Sequence, residues 1–398
     1  MYNAMLCTAQ SYIIESKDKV YAINKDIIYI INNRICNILA FFYSLLIEHT
    51  TIPKSMKLII TIFIVLISSF SVLAQSASFA DLIRKGNSYH DNAQYEQALE
   101  QYKKALKSDS VSGIVHYEIA YTLLAMQKYD EASEYCKKVI NSDSKQQQGA
   151  YLLWGSALNL GGKPQEAVKV YLEAMMKFRG LHQLHYNLAL SYFEADNLVK
   201  SEETLMHSLK MKPNHVNSHI LLAKIMMIKQ HYIKALLSLN YILYLDSQSN
   251  RSAEISDLLH QTIKVACTSL TENDSIENSD VFIKAQKQLV KKYTISDTTN
   301  QDALFAEMEC HLFSELESIV ENNFPIWSDL YASTFHDLYK SGHCESFSYV
   351  ISRPNASPAI EVWIRTNQGK MQSLQSWIGS HQPPAKVNHM MIGKSVFK

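Results

Sequence analysis

FADLIRKGNSYHDNAQYEQALEQYKKALKSDS, residues 79–110, holds the landmarks on which the whole chain is organised. Small residues at Gly86, Ala98 and Ala105 alternate with large ones at Tyr89, Tyr95 and Tyr102, and the set returns at intervals of 34 or 35 residues. The second unit has Ala120, Leu123, Tyr129, Ala132, Cys136 and Val139. The third has Gly155, Leu158, Pro164, Ala167, Tyr171 and Ala174. A fourth carries Ala189, Tyr192, Leu198, Ser201, Leu205 and Ser208, and a fifth Ala223, Met226, Tyr232, Ala235, Leu239 and Ile242. Two kinds of landmark moving in step mark an internal repeat, and five units span residues 79–249.

The physical reading is a stack of helix pairs. Small residues at Gly86, Ala120, Gly155, Ala189 and Ala223 let two helices approach to the short end of the usual interaxial range, and the Tyr and Leu positions fill the space between. In NLGGKPQEA, Gly161 and Gly162 end one helix and Pro164 opens the next, where a missing N–H costs nothing. Helices of about 12 residues are marginal alone, so each buries its apolar stripe on a neighbour. The spacing resembles the tetratricopeptide repeat. That resemblance implies an all-α fold: a right-handed helical solenoid of about five units, followed here by a smaller C-terminal helical region.

The resemblance also implies an inner wall built from the first helix of each pair. In this register the wall carries Ile83, Asn87 and His90, then Tyr117, Tyr121 and Leu124, then Leu152, Ser156 and Asn159, then Tyr186, Leu190 and Phe193, and last Ile220, Lys224 and Met227. A familiar subgroup grips a carboxyl-terminal Glu-Glu-Val-Asp peptide with lysines on this wall; Ile83, Tyr117 and Leu152 stand at those positions, so that clamp is not expected. The expectation is a partner-binding groove of apolar anchors (Tyr117, Tyr121, Leu124, Tyr186, Leu190, Phe193, Ile220 and Met227) that takes an extended or helical segment of another protein. The alternative is that later helices of the chain cover part of the wall.

Behind the repeats, residues 250–293 read as a capping helix, a polar linker and a further helix, and residues 301–380 as a helical region with Trp363 and Trp377 as anchors of a small core. Residues 381–398 read as a loose tail. Cys136 falls on a core position. Cys310 and Cys344 lie in neighbouring predicted helices and form a candidate disulfide. Three tripeptides, Asp109-Ser110-Val111, Asp274-Ser275-Ile276 and Asp297-Thr298-Thr299, resemble an O-glycan acceptor pattern of some exported bacterial proteins, Ser275 being the best placed. His182 with His185, and His215 with His219, are spaced to share a helical face, yet no third ligand converges in sequence, so no metal is expected. No phosphate loop, nucleophile elbow or zinc helix occurs, and no motif implies a cofactor or an enzyme.

Upstream, MKLIITIFIVLISSFSVLAQS (56–76) has the layout of a secretory signal: Lys54 and Lys57, an apolar run, then Val72-Leu73-Ala74 before Gln75. At about 17 residues, Leu58 to Ala74 also meets the lower limit for a membrane anchor. Residues 1–55, rich in Ile, Asn, Tyr and Lys without helical or strand period, are a doubtful extension ahead of a start at Met56. A formal net charge of zero offers no basic footprint for nucleic acid. The expected protein is therefore an exported, non-catalytic interaction scaffold in the periplasm or at the outer membrane, touching a membrane only through residues 58–74 if they are uncleaved. The alternatives are an enzyme with its site in the C-terminal region near His311, His336 or His343, or a membrane-anchored part of an envelope or secretion assembly.

Overall fold

The computed structural model describes residues 79–269, 280–293, 301–321, 326–355 and 357–381. The doubtful extension, the signal or anchor segment, Ser275 and Thr298 lie outside the described residues. Among the described residues every regular element is helical. The chain divides into two compact units, one ending at Lys177 and the other beginning at Phe178.

The first unit holds three helix pairs: α1 (79–91) with α2 (Tyr95–Ser108), α3 (Gly113–Ala125) with α4 (Tyr129–Ile140), and α5 (Gln147–Leu160) with α6 (Pro164–Lys177). The second helix of each pair is amphipathic. α2 buries Ala98, Leu99, Tyr102 and Ala105, and α4 buries Ala132, Ser133, Cys136 and Val139 in the same register. Charge follows the helix dipole, with Asp130 and Glu131 in the first turn of α4 and Lys137 and Lys138 in its last. First helices are sandwiched, and α3 buries every residue from Val115 to Leu124 except Glu118.

The second unit continues with α7 (His182–Glu194) and α8 (Leu198–Met211), then α9 (Val216–Ile228) and α10 (Tyr232–Leu245). These pairs, like those of the first unit, stack as in a tetratricopeptide-like solenoid. α11 (Ser252–Thr268), α12 (Val281–Lys292), α13 (Gln301–Ser314) and α14 (Glu317–Glu321) follow. A π-helical turn (Trp327–Ala332) leads into α15 (Ser333–Lys340), α16 (Cys344–Ser352), α17 (Pro358–Thr366) and α18 (Gln368–Ser380). α10, YIKALLSLNYILYL, buries Ile233 and everything from Ala235 to Tyr244. A helix apolar all round belongs in a core. Here α9, α11, α12, the π turn and α16 surround it.

The division between units therefore does not follow the sequence boundary near residue 249. The last repeat and the C-terminal helices share one core, in which Tyr241 meets Tyr331 and Phe335 and Tyr244 meets Trp377. Trp377 thus anchors α18 to the last repeat. Trp363 packs on a separate small cluster of Ala306, Tyr349, Ile360 and Ile364.

One backbone feature repeats through both units. Ala93, Gln127, Gly162, Asp196 and Gln230 all have positive φ, between 58° and 74°. Each follows the first helix of a pair. In every case this residue's N–H and the next one's donate back to the helix, as Gln127 does to Leu124 O (3.0 Å) and Lys128 to Leu123 O (2.9 Å). That is the Schellman turn, a position suited to glycine. Only Gly162 has one. Gln127→Gly is expected to stabilise the protein by about 1 kcal/mol, relief of a left-handed side chain outweighing the added chain entropy; a urea titration at neutral pH checks it, and an unchanged midpoint would refute it. Gly342 (φ 73°) makes the same turn between α15 and α16, so the C-terminal region reuses the hairpin of the repeats.

Candidate protein-interaction site

The wall positions of the first helices divide into covered and partly open residues. Tyr117, Tyr121 and Leu124 on α3 are 8, 6 and 6% exposed, and Tyr186 and Leu190 on α7 are 5% each. Phe193, Ile220 and Met227 are half-buried, and Lys224 beside them is exposed. The expectation of a continuous open apolar wall is therefore corrected at five of its eight anchors. The reason is lateral reach. A tyrosine on a first helix extends across to the next first helix before it extends inward, so Tyr121 stacks on His90 of α1 with ring centres 4.7 Å apart. A methyl group added to Gly149 of α5 would stand 3.0 Å from the Tyr117 ring. In the second unit Tyr186 meets the edge of His215, centres 5.0 Å apart.

Polar wall residues are also engaged. Tyr102 donates its hydroxyl to Asn87 Oδ1 (2.7 Å), and His90 Nδ1 lies 2.9 Å from Thr122 Oγ1. On α9, Met227 Sδ accepts a 3.9 Å contact from Thr262 of α11. Of the eight expected anchors, the partly open ones are thus Phe193, Ile220 and Met227, on α7 and α9 of the second unit beside the exposed Lys224; Ile83 and Leu152 on the first unit's wall are half-buried as well.

The histidines lie in packed surroundings. His182 and His215 approach with ring centres 4.9 Å apart; burial first, then His182, Lys212 and His219, hold His215 down at about 3, and burial first, then Lys212 and His185, hold His182 at about 4. His219 is wholly buried. Its Nε2 lies 2.7 Å from the Pro213 carbonyl, which can only accept, so Nε2 carries the proton and Nδ1 accepts from the Tyr331 hydroxyl at 2.7 Å. No group of three or more His, Cys, Asp or Glu side chains with metal-holding geometry occurs among the described residues.

In the C-terminal region His336 Nδ1 donates to Phe313 O (3.2 Å) and His311 faces Tyr293. A residue that sequence reading passed over stands out here: Glu309, completely buried, its carboxyl pushed up to about 7 chiefly by burial. Nothing local marks it; a glutamate in the middle of a helix is ordinary. It lies in a closed core, out of reach of a dissolved substrate. Cys310, next to it, is joined to Cys344 by a disulfide with Cα atoms 5.6 Å apart. Cys136 and Cys267 are buried thiols. Ser110, in the first O-glycan-like tripeptide, sits exposed in the turn before α3.

Fold and wall together define an all-helical scaffold of stacked helix pairs. The tetratricopeptide repeat family model matches residues 82–111, 115–146 and 182–215, the first, second and fourth pairs, and supports tetratricopeptide repeats there. No curated protein matches the sequence. Among solved structures, PilF of Pseudomonas aeruginosa is similar at 19% identity and a TM-score of 0.38, over 54% of this chain and 99% of that one. MamA of Desulfovibrio magneticus matches at 16% and 0.40 over 44% and 97%, and a thermophilic tetratricopeptide protein of Thermus thermophilus at 18% and 0.39 over 47% and 99%.

Proposed function

We propose that this protein is a non-catalytic scaffold that holds a segment of a partner protein on the partly open wall of its fourth and fifth helix pairs. The observation that carries the reading is the repeat itself. Tetratricopeptide repeats are in general protein-interaction modules, and their first helices supply the binding face. Phe193, Ile220 and Met227 offer apolar anchors, with the Lys224 ammonium beside them for a carboxylate of the partner. The five covered wall residues serve the packing of neighbouring pairs.

Export of the protein, to the periplasm or the outer membrane, belongs to the same proposal and rests on the signal-like segment 56–74. No helix among the described residues is long and apolar enough to cross a membrane. Crosslinking in the native host, followed by capture of the parent and of a Phe193→Ala/Ile220→Ala/Met227→Ala variant, tests the binding face. The triple variant is expected to lose its principal crosslinked protein by roughly tenfold or more, as removal of two or three anchors does. An unchanged set of crosslinked proteins, with the variant's helical circular dichroism intact, would show that the face is not used.

A further inference from the structure

Glu309 and Cys310 are consecutive on α13, while Cys344 and Ser348 stand one turn apart on α16. Disulfide and buried carboxyl therefore occupy one seam. The third wall of that seam is α10 of the last repeat, through Asn240, itself wholly buried. Asn240 and Ser348 lie near enough to ease ionisation of the carboxyl slightly, but neither closes a hydrogen bond of ordinary geometry with it. Both carboxyl oxygens, both polar atoms of the Asn240 amide and the Ser348 hydroxyl are left without a hydrogen-bond partner. A carboxylate formed there would be buried without compensation, a costly state.

We propose that this seam is a latch with two inputs: the Cys310–Cys344 disulfide keeps α13 seated on α16, with Glu309 against Asn240 of α10, whatever the state of the Glu309 carboxyl, and opening the disulfide makes that seating depend on pH. The titratable side chains on the surrounding elements include Tyr241 of α10, His260 of α11, Tyr293 after α12, His336 of α15 and Tyr349 of α16. None contributes to the state of Glu309, which burial dominates. His260 is occupied by Phe305, His336 by Phe313 O and Tyr349 by Trp363.

The sign follows from linkage. The seated carboxyl keeps its proton up to about pH 7, whereas an exposed one releases it near its ordinary value of 4.5. Between those two values the open seam binds fewer protons than the closed one, so seating weakens as pH rises and levels off above about 7. While the disulfide is closed, α13 and α16 cannot separate to expose the carboxyl. A dithiol of the dithiothreitol class opens it. One thiolate attacks a protein sulfur to give a mixed disulfide, and the second thiol closes the reagent's own disulfide ring. Two electrons and two protons end on Cys310 and Cys344 as thiols.

The test is amide hydrogen exchange of α13 and α16 in the full chain at about pH 5.5 and about pH 7.5, corrected for intrinsic rates, with and without dithiothreitol, in the parent and in Glu309→Gln. The reduced parent is expected to open roughly tenfold or more readily at the higher pH, and the oxidised parent and reduced Glu309→Gln to change less than about twofold. Cys310→Ser/Cys344→Ser should behave as the reduced parent without any reductant. Equal pH dependence in reduced parent and reduced Glu309→Gln would remove the carboxyl from the device. Equal behaviour of oxidised and reduced parent, or a serine double variant that stays insensitive to pH, would remove the disulfide.

Discussion

Gly155→Ala is expected to destabilise the protein by about 2 to 3 kcal/mol, and adding Tyr171→Leu to the same chain is expected to recover most of that loss. A Cβ on Gly155 would lie 2.2 Å from Cζ of Tyr171, and the ring has nowhere to retreat. Tyr171 is wholly buried, its hydroxyl donating to Leu152 O at 3.1 Å beside Ser156 Oγ at 3.2 Å. The same arrangement occurs in the first pair, where a Cβ on Gly86 would stand 2.3 Å from the Tyr102 ring. In the second, fourth and fifth pairs the small residue is Ala120, Ala189 or Ala223, and the residue facing it is Cys136, Leu205 or Leu239, all fully buried. Glycine thus accompanies tyrosine and alanine accompanies something smaller. The double variant installs in the third pair the combination that the fourth and fifth already use. Urea unfolding of parent, both single variants and the double one measures the coupling; strictly additive effects would show that the two positions do not share one space.

Acid is expected to unfold the protein well before its carboxylates are neutralised, because buried histidines, the fully enclosed His219 among them, resist protonation in the fold. Burial holds His219 at about 4, and only its backbone hydrogen bond to Pro213 opposes the fall. Between the ordinary imidazole value of 6.5 and about pH 4 the unfolded chain takes up a proton that the folded chain refuses. Stability therefore falls as pH falls through that window, by about 3 kcal/mol for this residue alone. His182 and His215 act in the same direction. Glu309 acts in the opposite one, gaining stability from pH 7 down to 4.5, but as a single group against several histidines. His219→Gln keeps a donor for Pro213 O and an acceptor for the Tyr331 hydroxyl while abolishing the titration. Its stability should fall by about 2 to 3 kcal/mol less than the parent's between pH 7 and 4.5. Parallel losses in the two proteins would place the acid sensitivity elsewhere.

The repeat was legible because its cause is local. Helix pairing needs a small residue opposite a large one at a fixed offset, and Gly86 with Tyr102 or Ala189 with Leu205 displays that need in the chain itself. The helices after residue 281 were legible from apolar spacing, though not their interruptions. The segment from Ile326, inside the region read simply as helical, opens with a π turn before α15, in which Tyr331 N–H reaches back to Ile326 O at 3.3 Å. That turn presents the Tyr331 hydroxyl to His219, more than a hundred residues earlier. No local pattern encodes such a contact. The turns between paired helices were foreseen through Gly161 and Gly162, yet four of the five place a residue with a side chain at positive φ, so the hydrogen-bonded frame of the hairpin overrides the residue's own preference.

The candidate site was less legible. The identities of the wall residues follow from the repeat register, but whether Tyr121 faces a partner or His90 depends on how far one pair is displaced from the next. Likewise a glutamate at position 309 is indistinguishable in one dimension from a solvated one, and only the closure of α10, α13 and α16 around it makes it a buried acid.

The order of small and large side chains by itself determined that this chain forms paired helices and where each pair begins, because helix contact is governed by neighbours a few residues or one hairpin apart. The tertiary structure alone decided which aromatic residues are covered, that the last repeat shares a core with the C-terminal helices, and that Glu309 and the disulfide meet in one seam. Burial is a property of everything that surrounds a side chain, and most of what surrounds these lies far away along the chain.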